Sequence, residues 1–478
     1  MAEPVPISLG IRSNPARNSQ AGNVRLINCY AEETSEDGKT TWTLYGTPGL
    51  RLFGAALNAG PIRAKLDVDG TLYVVSGRDV YTVTSAGVST RIGGIPTDAP
   101  VYMERNRKVP PEIGLVSGGS YFVIDTLANT VTQIFDVDLP APISFSVLDG
   151  YGILPIANRQ FMLTGIDEFT TIDGLDQGTV EAYPDEIVRS MVLERELVFF
   201  KQTSIEWFQD TGAEDFPFER VHAIELGCLS AESVAKVDTA ERKTLIWVAP
   251  DHTVRAMSGY SGQVISTNEL HERIRKLHQD GNIGQLKGIS WTDGGTFNYA
   301  LSCDAWTRIY DAKTGNWRDH ESYQRSRWRV GTMTKFGTKL IAGDHQTGQL
   351  YEVRNDVYDE VGEPLIATIQ TPPVHAFPFR IAINGLYVDA ARGVGLNSPQ
   401  DHIADPELMV SWSKDAGDSW SAERRMKLGR LGQKAKRIQP IYRLGTASQA
   451  GVVFRFALSA PVERVMISAS LDFDKLSA

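Results

Sequence analysis

The sequence predicts an all-β fold: a β-propeller of about six or seven blades followed by a C-terminal β-sandwich or barrel-like domain. Three observations carry this expectation. Short runs rich in aromatic and β-branched residues turn at Gly or Pro-Asp and return, the pattern of a hairpin. Seven such hairpins lie between Leu72 and Val353, about one every 40–50 residues, the period of a four-stranded blade. The composition then changes between Pro364 and Pro378, where Pro372 and Pro373 also fall between strand-like runs. One small sheet cannot bury both of its faces alone, and radial stacking buries them while leaving only short edges. A β-sandwich carrying extra hairpins is the alternative reading of the same repeat.

The chain divides accordingly into an N-terminal segment, 1–60, offering strands to close the propeller; the propeller, 61–364; and a C-terminal β domain, 365–478. The hairpins run Leu72–Val83, Gly114–Asp125, Gln160–Ile172, Leu197–Phe208, Leu245–Met257, Phe297–Asp311 and Lys339–Val353. One helix is expected near 268–279, where Leu270, Ile274 and Leu277 share a face and Asn268 is a suitable N-cap. The segment Asp210–Leu229, with Phe216-Pro217-Phe218, departs from blade spacing and reads as an insertion available to a partner. In the C-terminal domain, strands are expected over Ile381–Val388, Leu408–Ser413 and Val452–Leu458, with Gly385 and the Gly393–Pro399 loop separating the first two.

Composition bounds the function. The chain has 478 residues, 42% of them hydrophobic, so a large core is available. A net charge of −10 argues against general nucleic-acid affinity, which needs Lys and Arg to neutralise phosphates. No apolar run approaches the ~20 residues of a membrane-spanning helix. Met1-Ala2-Glu3-Pro4-Val5-Pro6 has neither the basic nor the apolar region of a signal peptide. Cys29, Cys228 and Cys303 are far apart and form no C-x-x-C, which reads as reduced, structural thiols.

The sharpest motif is Ser413-Lys414-Asp415-Ala416-Gly417-Asp418-Ser419-Trp420, an Asp-box. In it Asp415 accepts hydrogen bonds from turn amides, Gly417 supplies a positive φ, and Trp420 anchors the loop against the sheet. That role is structural and non-catalytic. A degenerate relative runs from Asp311 to Trp317. The second feature is basic. Arg424, Arg425, Lys427, Arg430, Lys434, Lys436, Arg437 and Arg443 occur with no Asp or Glu among them. In an acidic chain they suit a subunit interface, a DNA channel or a solvated loop. Arg325-Ser326-Arg327-Trp328-Arg329 alternates as one face of a strand would, with Trp328 available to stack on Arg. Of the eight histidines, His271 and His278 share a helix face without a third ligand. There is no H-E-x-x-H, G-x-S-x-G or P-loop, so no catalytic residue, metal site or cofactor is expected.

Asn23–Glu32, Gly46–Leu50, Gly343–Glu352, Trp412–Trp420, Leu428–Gly432, Tyr442–Gly445 and Val453–Phe456 occur in one order across the chain. Together they resemble the packaged-DNA stabilisation proteins, the tail hub or nozzle proteins of short-tailed bacteriophages. The resemblance implies a structural virion-tail protein, assembled in the bacterial cytoplasm as a homo-hexameric ring below the portal and its adaptor. It also implies genome retention, an ejection channel for double-stranded DNA, and attachment of a needle or plug and of tailspikes or fibres. On that view the basic run is an inter-subunit or lumen surface and the helix a docking surface. The rival from another class is a glycan-binding or sialidase-like propeller acting as a receptor-binding protein.

Overall fold

Six of the seven predicted hairpins are the middle strands of small antiparallel sheets; Gln160–Ile172 instead joins the third strand of its sheet, Gln160–Gly165, to the outer one, Glu168–Thr179. The structure, a computed structural model, describes residues 4–477 apart from positions 17, 19, 35–37, 59, 214, 240 and 241. Met1, Ala2 and Glu3 of the N-terminal reading therefore lie outside the described residues. The chain packs as two compact units, one of residues 52–303 and 329–353, the other of residues 1–51, 304–328 and 354–478.

In the first unit, five consecutive four-stranded sheets occupy residues 62–94, 101–133, 146–179, 187–224 and 235–264. A sixth group begins with the paired strands Lys287–Asp293 and Thr296–Cys303. A seventh contains Val330–Phe336, Lys339–Asp344 and Leu350–Arg354. The first strand of each lies against the next sheet, and Val330–Phe336 of the seventh lies beside Ile62–Val68 of the first. The seven therefore close into a ring, the propeller expected from the repeat. Phe53 N–H donates to the Leu350 carbonyl at 2.9 Å and Leu57 N–H to Gly348 at 2.8 Å, so the chain enters the ring alongside its last sheet.

Period-two alternation explains the stacking. In the second strand of blade 1, Leu72 and Val74 pack with Phe336, Ile341 and Leu350 of blade 7. Their neighbours Tyr73 and Val75 pack instead with Ile113, Leu115 and Phe122 of blade 2. Blade 4 repeats the division: Leu197 and Phe199 join Phe161 of blade 3, and Val198 and Phe200 join Leu245 and Trp247 of blade 5. Every middle strand is thus apolar on both faces. Near the axis polar side chains join adjacent blades. Arg63 donates to Ser117 Oγ of blade 2 at 2.8 Å, and Arg189 to Ala231 O and Val234 O, both at 2.9 Å. Ser190 Oγ meets Ser146 Oγ at 2.8 Å, and Lys65 Nζ reaches Thr332 O at 3.1 Å and Ile341 O at 2.8 Å.

The second unit is a two-sheet sandwich. One sheet runs in the order Cys29–Glu33, Trp42–Gly46, Val465–Lys475, Ile381–Ala390, Ile441–Ala447. The other contains Asn316–Asp319, Asn23–Ile27, Ala367–Gln370, Val453–Leu458, Glu407–Ser413 and Arg424–Lys427. Leu26, Ile383, Leu386, Val410, Phe454 and Leu471 fill the space between them. Asn28 makes the corner where the chain passes from one sheet to the other. Its φ is 55°, a conformation Asn tolerates better than most residues, and its amide donates to Glu321 O and Ile366 O at 2.9 Å each.

Four local readings are corrected. The helix Asn268–Gln279 is capped by Thr267, whose hydroxyl accepts from Leu270 N–H, so Asn268 is its first residue. Phe216–Phe218 is no insertion: Phe218 starts the fourth strand of blade 4, opposite Asp210, and both rings pack on Phe161. The aromatic pair marks a strand buried by its neighbour, which spacing alone does not convey. Arg325–Arg329 is an irregular bend, not a strand, and Trp328 stacks on His320 at 4.3 Å. Gly385 interrupts nothing; it sits at a bulge inside Ile381–Ala390.

Phe199 is buried between blades 3 and 4, with ring centroids 4.7 Å from Phe161 and 5.4 Å from Phe208. Phe199→Ala is expected to destabilise the protein by about 3–5 kcal/mol, measured as the shift in a chemical denaturation midpoint.

Candidate functional site

The basic run of the sandwich unit follows directly from a hairpin. Glu407–Ser413 pairs with Arg424–Lys427, Leu408 opposite Met426 and Met409 opposite Arg425. Met426 points into the core while its basic neighbours face out. The Asp-box forms the connecting turn. Ser413 Oγ donates to Asp415 Oδ1 at 2.7 Å and accepts from Gly417 N–H at 2.7 Å. Asp415 Oδ1 also accepts from Ser419 N–H at 2.9 Å, and its other oxygen accepts from the Ser419 hydroxyl. Gly417 has φ 104°, and Trp420 Nε1 donates to its carbonyl at 3.0 Å. Arg455 lies over the Trp420 ring at 3.7 Å. The Ser413 hydroxyl, then the Ser419 hydroxyl and amide, hold the Asp415 carboxyl down at about 2. The turn spends this carboxylate on its own hydrogen bonds.

Beyond the hairpin, the loop 428–436 is fixed to residues 393–395. Gly393 N–H donates to Leu428 O at 2.9 Å, Gly432 N–H to Gly393 O at 3.1 Å, and Gly395 N–H to Gly429 O at 3.2 Å. Gly393 has φ 69°, and a Cβ there would stand 2.7 Å from the Gln433 backbone, so only glycine fits. The eight basic residues then divide by their partners. Arg425 pairs with Glu407 and Glu423, and Lys427 and Lys436 with Asp405. Arg424 lies 5.9 Å from the Trp412 ring. Arg430, Lys434, Arg437 and Arg443 are exposed and have no salt bridge among the described residues. Exposed Leu431 and Tyr442 lie in the same stretch.

The propeller unit carries a surface of the opposite sign that sequence reading missed. In the outer strand of blade 3, Ile172 stands opposite Thr164 and Gln177 opposite Met162, so residues 173–176 loop out of the sheet. Leu175 at their tip is 86% exposed; nearby, Phe135 is 84% and Val137 99% exposed. The Asp138 side chain approaches Gly174, which brings the two segments together. Asp136, Asp138, Asp173 and Asp176 surround these apolar groups and have no salt bridge among the described residues. Burial, then the charge of Asp173, raises the Asp176 carboxyl above its usual range. The signal was present in Phe135-Asp136-Val137-Asp138 and Asp173-Gly174-Leu175-Asp176, but such alternation is common in exposed turns.

Other candidates do not converge. His271 Nε2 meets Ser266 Oγ at 2.6 Å, whereas His278 Nδ1 meets His252 Nε2 at 2.9 Å. Among the described residues no group of three or more His, Cys, Asp or Glu is placed to hold a metal ion, and no helix is long and apolar enough to cross a membrane. All three cysteines are buried; burial pushes the Cys29 and Cys228 thiols up to about 12. A cavity of about 680 Å³ lies between blades 4 and 5 with Glu196, Tyr260 and Arg242 on its wall. Glu196 is engaged by the Tyr260 hydroxyl at 2.5 Å.

Comparison with known proteins gives two family matches. The model described as bacteriophage P22 Gp10, beta-propeller, matches residues 5–358, and that described as bacteriophage P22 Gp10, beta-sandwich, matches residues 369–474. No curated protein matches the chain. Among solved structures, the computationally designed Ika8 protein is similar at 12% identity over 69% of this chain and 99% of its own, with a TM-score of 0.40.

The Asp415 carboxyl lies below its ordinary value of 3.8, so it contributes stability that is present above about pH 4 and lost as pH falls through about 2. Asp415→Asn should therefore lower the thermal midpoint at neutral pH, and the difference from wild type should vanish near pH 2. Equal midpoints at pH 7 would show that the carboxylate does not hold the turn.

Proposed function

Since the chain belongs to the bacteriophage P22 Gp10 family, we propose that it is a structural virion protein and not an enzyme. It acts as a tail hub or nozzle subunit that joins the portal–adaptor complex to distal tail parts, helps retain packaged DNA and forms the ejection channel. Its working form is a homo-hexameric ring in the virion tail, assembled in the host cytoplasm. Its further partners are a needle or plug and tailspikes or fibres.

One observation carries the reading: the two units present unneutralised surfaces of opposite sign, each with apolar groups beside the charges. A closed ring built by head-to-tail contacts needs two different, complementary patches on every subunit. Arg430, Lys434, Arg437 and Arg443 with Leu431 and Tyr442 supply one. Asp136, Asp138, Asp173 and Asp176 with Phe135, Val137 and Leu175 supply the other. Charge complementarity orients such an encounter and suppresses wrong partners, and the exposed apolar groups provide the area that leaves water. The loop 428–436 is pinned by backbone hydrogen bonds, so little conformational entropy opposes its docking. The Asp-box keeps a structural role, setting the hairpin from which the basic run leaves.

Light scattering or native mass measurement tests this. Wild type should assemble, and Arg430→Glu with Lys434→Glu should weaken assembly by about tenfold or more. Adding Asp173→Lys and Asp176→Lys should restore it. A chain that stays monomeric and joins no portal–adaptor complex rejects the hub. Normal assembly by the reversed variant, with loss of packaged DNA, moves the basic residues to the channel wall.

A further inference from the structure

The first strands of the blades surround a cavity of about 280 Å³ at the propeller axis. Arg63 and Lys65 of blade 1, Arg189 of blade 4, Lys236 of blade 5 and Lys287 of blade 6 line it. Glu104 and Glu232 are the carboxylates in the same wall. Five cations against two carboxylates leave three positive charges at the centre of a chain whose net charge is −10.

Neutral carbonyls and hydroxyls take most of the donors, while Asp98 and Glu232 face Arg63 and Glu104 faces Lys236. Lys65 is buried, and its ammonium donates to two backbone carbonyls, Thr332 O and Ile341 O. An ammonium carries three donors. Arg63 donates to Gly77 O, Thr97 O, Ala99 O and Ser117 Oγ, all neutral acceptors. Arg189 donates to two carbonyls and lies over the Tyr102 ring at 4.7 Å. Of the carboxylates, Glu232 is 3.9 Å from Lys287 Nζ, and Glu104 accepts from Val147 N–H at 3.1 Å. Burial, then the repulsion of Lys287, presses the Lys65 ammonium well below its usual range. Burial likewise lowers Lys236. Desolvated like charges on several blades cost free energy that neutral carbonyls offset only in part.

We propose that this axial cavity binds a small oxyanion of the phosphate class, which neutralises the converging cations and couples blades 1, 4, 5 and 6. Val101, Met103, Met191 and Met333 share the wall with Ser290, Thr332 and Thr334, whose hydroxyls are further donors for an oxyanion. The site is independent of ring assembly and of the basic run on the sandwich. The same chemistry is offered by free phosphate and by a nucleic-acid phosphodiester.

Inorganic phosphate titrated into the full chain by calorimetry should show one site. At saturating concentration it should raise the thermal midpoint by about 2 °C or more over sodium chloride of equal ionic strength. Lys287→Met should lose at least about tenfold in affinity with a midpoint in chloride no lower than wild type, since it removes the repulsion on Lys65; Lys65→Met should lose affinity likewise if it folds. Lys243→Met, in the outer cavity, should bind as wild type. Displacement of phosphate by a short single-stranded oligodeoxynucleotide assigns the site to a phosphodiester, and no displacement assigns it to free phosphate. Equal shifts with phosphate and chloride, or wild-type phosphate binding by Lys287→Met, would overturn the proposal.

Discussion

A short sheet that is apolar on both faces can satisfy them only between two other sheets, and a row of such sheets has no acceptable end until it closes on itself. The first unit is organised by that constraint. Leu72 and Val74 face blade 7 while Tyr73 and Val75 face blade 2, so one strand serves two cores. Removing any blade would leave both of its neighbours exposed. The apolar contacts are non-directional, and the angular precision of the ring comes instead from polar side chains near the axis. Arg63, Arg189, Ser190 and Lys65 each hydrogen-bond across a blade boundary, and a hydrogen bond tolerates far less misplacement than a packed methyl group.

The same geometry accounts for the charge pattern. Residues that latch blades must be long and multiply donating, which selects Arg and Lys, and their convergence on one axis accumulates positive charge. The acidic excess is displaced to the outside, where Asp136, Asp138, Asp173 and Asp176 ring exposed apolar groups on blade 3. In the sandwich unit the basic stretch leaves a hairpin whose turn is closed by Asp415, and Asp405 and Glu407 neutralise only the part nearest that hairpin. Four cations beyond them have no salt bridge among the described residues. Charge segregation of this kind favours ordered association over indiscriminate binding.

Much of this was legible in the chain. The seven hairpins are visible because turn residues and period-two alternation are local properties; six mark the second and third strands of a sheet, and Gln160–Ile172 marks the third and fourth. The first and fourth strands were harder to see. Ser261–Val264 or Phe218–Ile224 is half-buried or exposed along most of its length, so its composition carries less of the strand signature. Phe216–Phe218 looked like an insertion for that reason. The bend Arg325–Arg329 looked like a strand because alternating arginines mimic period two, although Trp328 is in fact turned inward onto His320.

The sequence by itself determined the hairpin repeat, the all-β class, the Asp-box turn and the existence of a basic stretch, since each depends on residues near one another along the chain. Tertiary structure alone decided that seven sheets form a closed ring. It also decided which basic residues are neutralised, and that Arg63, Lys65, Arg189, Lys236 and Lys287, spread over 225 positions of sequence, meet around one cavity. The reason is physical: pairing within a hairpin is fixed by a turn of a few residues, whereas convergence at an axis depends on the angle between successive blades, and no local pattern encodes that angle.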